Sequence, residues 1–144
     1  MGKITSLAAA VALLVGAASS LAAQAAEATP ETISNTFVTD LKAGKFADLT
    51  RHFFGSSPLA LSSAEKFGQL QAAIGHAVDS YGPVKSCELV DTVKRGTMVE
   101  NRLYLCQHDQ LVTRWQLRLM RTNRGWMGSN LTFDEKTWLP LNEN

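Results

Sequence analysis

The chain of 144 residues carries 14 basic and 13 acidic side chains, a formal net charge of +1, with 45% hydrophobic residues and 2 cysteines. That length suits one domain, which buries roughly 60% or more of its unfolded surface on folding. So even a charge balance excludes the strongly basic surface that nucleic acid or an anionic membrane selects in a main partner.

The first residues hold one positive charge, Lys3, followed by an apolar stretch from Leu7 to Val15 and small residues from Gly16 to Ala26. Ala23-Gln24-Ala25 fits the small-x-small pattern that precedes a signal-peptidase cut. The apolar core falls short of the roughly 20 residues that span a bilayer. An amphipathic helix is the alternative here, but Leu7 to Ala26 has no charged residue and so no polar face. The expectation is a cleaved signal over residues 1–25, cut after Ala25, then a single α+β domain over residues 26–144, periplasmic or secreted. Losing Lys3 leaves 13 basic against 13 acidic residues. No later apolar run reaches membrane-spanning length.

Thr29 caps a first helix that begins Pro30-Glu31, with Ile33, Phe37 and Leu41 on one face and Gly44 as its stop. A short second helix places Phe46, Leu49 and Phe53 together and ends at Gly55. Leu59 to Leu61 reads as a brief edge strand. Ser62-Ser63-Ala64-Glu65 is a capping box, opening a third helix whose stripe is Phe67, Leu70, Ile74, Val78 and Tyr81, terminated by Gly82-Pro83.

After Pro83 the period changes from about 3.6 to 2. Four strands follow, Val84 to Lys94, Asn101 to Gln107, Gln110 to Arg121 and Gly125 to Asp134, joined by turns at Gly96, His108-Asp109 and Asn123-Arg124-Gly125. Centring the turns there pairs Cys87 with Cys106, Leu89 with Tyr104 and Asp91 with Arg102. The next two hairpins pair Cys106 with Leu111, Tyr104 with Thr113, Leu117 with Leu131 and Trp115 with Phe133. One face is then apolar, while Ser86, Glu88, Arg114, Gln116, Arg118, Asn130 and Thr132 share the other; a slip of one residue would invert this. A sheet with one apolar face must be covered, and the three helices supply the cover.

This order of elements, with a long helix ending at Tyr81-Gly82 and running straight into a strand, and a closing Gly125-Trp126 hairpin, resembles the ketosteroid-isomerase or nuclear-transport-factor-two-like superfamily. The resemblance extends from about Pro30 to Phe133. It implies three N-terminal helices on the concave face of a bent antiparallel sheet of four to five strands. It also implies a pocket at the mouth of the resulting cone, used by some members for catalysis and by others for binding. A cystatin-like arrangement is the alternative fold, with one main helix instead of three.

Cys87 and Cys106, opposed on neighbouring strands of an exported chain, are expected to form a disulfide. The loop of about 20 residues makes this worth roughly 3 kcal/mol. The alternatives are two buried free thiols, or a reactive thiol, which lacks the Cys-x-x-Cys spacing. Isomerase chemistry needs an aspartate base and acidic hydrogen-bond donors in an apolar pocket. Here Phe37 stands where a tyrosine donor would be sought, and Asp91 has a cross-strand partner in Arg102. Tyr104, Thr113, Trp115 and Phe133 are candidates to line a ligand pocket, or else plain core. His52, His76 and His108 lack helical metal spacing and read as solvated surface; no metal or cofactor is implied. Arg114, Arg118 and Trp126, with Arg121 and Arg124 nearby, form a candidate interface on the outer face for a homodimer or another protein. The tail Trp138-Leu139-Pro140-Leu141 is expected to pack on the domain. The leading expectation is a non-enzymatic exported protein that binds a small apolar ligand or a partner protein. A small cofactor-free isomerase or hydratase, or an assembly role through the outer face, are the alternatives.

Overall fold

The computed structural model describes residues 27–55, 57, 64–138 and 141. The signal segment, the brief strand at Leu59 to Leu61 and the Ser62 capping hydroxyl lie outside the described residues. The helices are α1 (Pro30–Lys42), α2 (Phe46–Phe54) and α3 (Ala64–Tyr81). The strands are β1 (Ser86–Arg95), β2 (Val99–Gln107), β3 (Val112–Thr122) and β4 (Gly125–Asp134), an antiparallel sheet in sequential order. Three helices against this sheet make an α+β fold, as the alternation and the glycine stops predict.

Thr29 caps α1 by accepting from the Thr32 amide, while the Thr32 side chain bonds back to the Thr29 amide, so two amides left open at the helix start are satisfied together. Ile33, Phe37 and Leu41 are buried at four-residue spacing. Helix α2 turns Leu49 and Phe53 into the core, and α3 buries Ile74 and Ala77. Gly82 closes α3 at φ +88°, where an added Cβ would lie 2.7 Å from Asp109 Oδ2. Both the left-handed backbone and the contact require glycine. Helix α2 rests on α1, α3 and β4, and α1 also reaches β4. The core therefore sits under β3 and β4: Trp115, Leu117 and Leu119 are essentially inaccessible, and Leu131 is buried.

Cys87 opposes Cys106 and Leu89 opposes Tyr104, and the two sulfurs are bonded, with Cα atoms 4.1 Å apart. Leu117 faces Leu131 and Trp115 faces Phe133. Three expectations of register change. Val90 is an extra residue, so Asp91 opposes Leu103 and Thr92 opposes Arg102; Arg102 bonds Glu100 instead, Nε to Oε1 at 2.6 Å. The β2–β3 turn is wider than expected, pairing Cys106 with Thr113 and Tyr104 with Trp115. That slip of two positions leaves every side chain on its expected face. Ser129 is the extra residue of a second bulge, and beyond it Gly128 opposes Leu119 and Trp126 opposes Arg121. One inserted residue reverses the phase, so Trp126 packs against the core cluster and not on the outer face.

Gly128 lies directly beneath Phe53: a Cβ there would overlap the ring, with Phe53 Cζ at 2.7 Å. Gly128→Ala is expected to cost about 1–3 kcal/mol through overpacking, read as a lower urea midpoint at unchanged m-value.

Candidate functional site

Tyr104, Thr113 and Trp115 are all buried, and Phe133 partly so, on the helix-facing side of the sheet. They pack among the side chains of the core. Trp115 stacks on Phe133 at 4.5 Å and meets Phe37 edge-on at 5.6 Å. Its Nε1 donates to Thr113 Oγ1 at 2.7 Å. The same hydroxyl lies 2.9 Å from His108 Nε2, whose ring donates from Nδ1 to the Gly82 carbonyl at 2.7 Å. His108 is 3% exposed, so the expectation of a solvated turn histidine is overturned. The pairing of donors and acceptors explains it: each polar atom of this buried group finds a partner. Burial would lower the Arg102 guanidinium, but Glu100 and Tyr104 beside it hold it above its ordinary pKa.

His52 is exposed, as expected, and one more expectation changes, at Arg114. His52 donates from Nδ1 to Asp40 Oδ2 at 2.7 Å, across the α1–α2 junction, a contact between residues 12 apart that carries no sequence signature. Arg114 is buried and not open on the outer face. Its side chain is 1% exposed and grips Asp134 through Nε to Oδ1 at 3.0 Å and Nη2 to Oδ2 at 2.6 Å. Arg118 stays on the outer face and donates from Nε to Asn101 Oδ1 at 3.0 Å. Leu141 is buried against that face, beside Asn101, Arg118 and Asn130, while Trp138 is 76% exposed. With Trp126 inward and Arg114 sealed, the predicted Arg/Trp patch does not assemble.

The apolar opening lies elsewhere. A groove of about 400 Å³ runs between α3 and β4, with Phe54, Phe67, Leu70 and Leu131 as apolar walls and Lys66, Ser129 and Asn130 as its polar members. Its placement follows from local structure. Phe53 and Phe54 are neighbours on α2 and both are buried, Phe53 over Gly128 of β4 and Phe54 meeting Phe67 edge-on at 4.9 Å. Leu70 follows Phe67 by three residues on the same face of α3. The Ser129 bulge turns this end of β4 toward the helix. On the far side of Phe67 a second hollow, about 350 Å³, lies between α2 and α3 and is crossed by the Gln71 Nε2 to Thr50 Oγ1 bond of 2.7 Å. The sequence marked Phe67 and Leu70 as buried stripe; nothing in it marked the stripe as wider than its cover.

Among the described residues no three His, Cys, Asp or Glu side chains are gathered to hold a metal, and no helix is long and apolar enough to cross a membrane.

Burial alone would raise the Asp134 carboxyl, but the Arg114 guanidinium and the Lys136 amide outweigh it and hold it below the ordinary carboxylate range. A folded-state pKa below the unfolded one stabilises fully above the unfolded value near 3.9, and that stabilisation is lost as the pH falls through the folded value. Asp134→Asn is therefore expected to cost about 2 kcal/mol at neutral pH. The gap from wild type should narrow below about pH 4 in parallel urea titrations.

No family model matches the chain, and no curated protein matches it. A solved structure does: a Campylobacter jejuni protein assigned by its name to the NTF2-like transpeptidases superposes with a TM-score of 0.56, covering 70% of this chain and 97% of that one. Sequence identity is 16%, so what the two share is architecture. Three helices on a sequential antiparallel sheet, with the third helix leading directly into β1, give this chain the NTF2-like fold.

Proposed function

We propose that this protein is an exported binding protein that holds a small apolar ligand in the groove between α3 and β4. The observation that carries the reading is the row Phe54, Phe67, Leu70 and Leu131 along an open hollow of about 400 Å³, within the usual size range of ligand sites. Lys66 is the one titratable side chain among the described lining residues. Proton transfer by a paired acid and base therefore has less support than binding. The expected result with an apolar fluorescent probe is enhancement by the wild type. Leu70→Asp, at a half-buried position, should abolish it while leaving the far-ultraviolet spectrum intact. Enhancement that survives Leu70→Asp would remove the groove as the site.

Export is the second part of the proposal. It is supported by Ala23-Gln24-Ala25 after an uncharged apolar stretch and by the Cys87–Cys106 disulfide, a bond that persists in oxidising compartments. Intact-mass measurement of exported protein is expected to give a chain starting at Ala26 and lighter by two hydrogens than its dithiol form. Retention of Lys3 in that mass would overturn the cleavage site.

A further inference from the structure

We propose that the ligand of this groove is a single-chain anionic amphiphile, a fatty-acid-like carboxylate, with its hydrocarbon chain between α3 and β4 and its head at Lys66. The inference rests on the groove reading above and adds the chemistry of the head group.

The walls and the polar members divide the groove into two environments. Phe54, Phe67, Leu70 and Leu131 offer hydrocarbon and aromatic surface only, which suits an alkyl chain. The polar side is positive. Lys66 lines the groove and is exposed, and it enters no ion pair among the described residues. No acidic side chain is among the described residues that line the groove beside it; Glu65, its neighbour in sequence, bonds Gln69 Nε2 at 3.3 Å. The Ser129 hydroxyl is committed to the Arg118 carbonyl at 3.2 Å, and Asn130 pairs with Arg118 on the outer face, which leaves the Lys66 ammonium to meet a head group. An ammonium donates and cannot accept. A carboxylate accepts from it and carries the complementary charge, whereas an ammonium or a choline head would meet like charge. A lysine can lay its methylenes along the apolar wall and keep its ammonium in water. The head therefore stays partly hydrated at the rim while the chain is buried. Volume argues for one chain: about 400 Å³ lies at the small end of ligand sites.

In this arrangement the chain supplies most of the affinity and Lys66 supplies the sign. Titration calorimetry with saturated carboxylates of 8, 10 and 12 carbons, below their micellar concentrations, tests both terms. Each added pair of methylenes is expected to tighten binding by roughly tenfold. The alcohol of equal chain length should bind about two- to fivefold more weakly than the carboxylate, the size of a partly exposed ion pair. Lys66→Gln should bring the carboxylate down to the alcohol's affinity and leave the alcohol unchanged. Because Lys66 is exposed, the variant leaves the core untouched. Added salt should weaken the carboxylate only. Equal binding of carboxylate and alcohol, unaffected by Lys66→Gln, would overturn the anionic head while keeping the apolar groove. Tighter binding of the alkylamine would do the same. Failure of every chain to bind would remove the groove reading itself.

Discussion

A single row of aromatic contacts holds this fold together. It runs Phe133, Trp115, Phe37, Phe53, Phe54, Phe67, from the sheet through α1 and α2 to α3, with ring centroids 4.5 to 5.7 Å apart. All but the Trp115–Phe133 stack are edge-to-face, the arrangement favoured by the ring quadrupole, and each pair adds about 0.5–1.5 kcal/mol beyond burial. Helix α2 is central because two adjacent residues point different ways: Phe53 descends onto β4, where Gly128 makes room, and Phe54 turns toward α3. The groove is a consequence. Phe67 ends the row, and the part of α3 around it stands over β4 at the Ser129 bulge, so Phe67 and Leu70 are only half-buried.

The same placement leaves β1 thinly covered. Most of its positions are exposed, Leu89 and Val90 among them at 42% and 43%, although alternation assigns Leu89 to the buried face. Two features compensate. The disulfide ties Cys87 to Cys106, which is wholly buried in β2, and so anchors the least covered strand to a well-covered one. The Val90 bulge, with Glu88, Asp91, Lys94 and Arg95 along the strand, breaks the regular row of edge donors and acceptors that would template pairing with another chain.

Polar groups enter this interior only in satisfied sets, and no buried side-chain nitrogen or oxygen among the described residues lacks a partner. Thr113 joins Trp115 to His108, and His108 joins the end of α3 to the start of β3 through the Gly82 carbonyl. Arg114 and Asp134 do the same between β3 and the end of β4 on the opposite face. Removing one member of such a set costs more than the bond itself, because the remaining partner is left desolvated. These residues therefore act as fixed joints. The groove contrasts with them: its Lys66 enters no ion pair among the described residues.

How much of this could be read beforehand depends on the range of the interaction involved. Caps and stops are local, so Thr29, Pro30, Gly44, Gly55 and Gly82 bound the helices as their chemistry dictates. Strand alternation repeats every two residues, so the facing of Cys87 to Cys106, Leu117 to Leu131 and Trp115 to Phe133 was legible from the sequence alone. The two-residue slip at the β2–β3 turn did no harm to the faces. Bulges are different. A single inserted residue, Val90 or Ser129, carries no compositional mark, yet Ser129 moved Trp126 from the outer face to the core. Partners distant in sequence, His108 with Thr113 and Gly82, His52 with Asp40 and Arg114 with Asp134, become neighbours only when the elements are docked. The groove belongs with them, since its walls come from α2, α3 and β4 and its existence depends on where α3 leaves its stripe uncovered. Periodicity and capping chemistry thus determined the elements and the buried face of the sheet. Tertiary packing alone decided which polar groups were sealed and where apolar surface remained open, because both depend on distances between elements that no local pattern encodes.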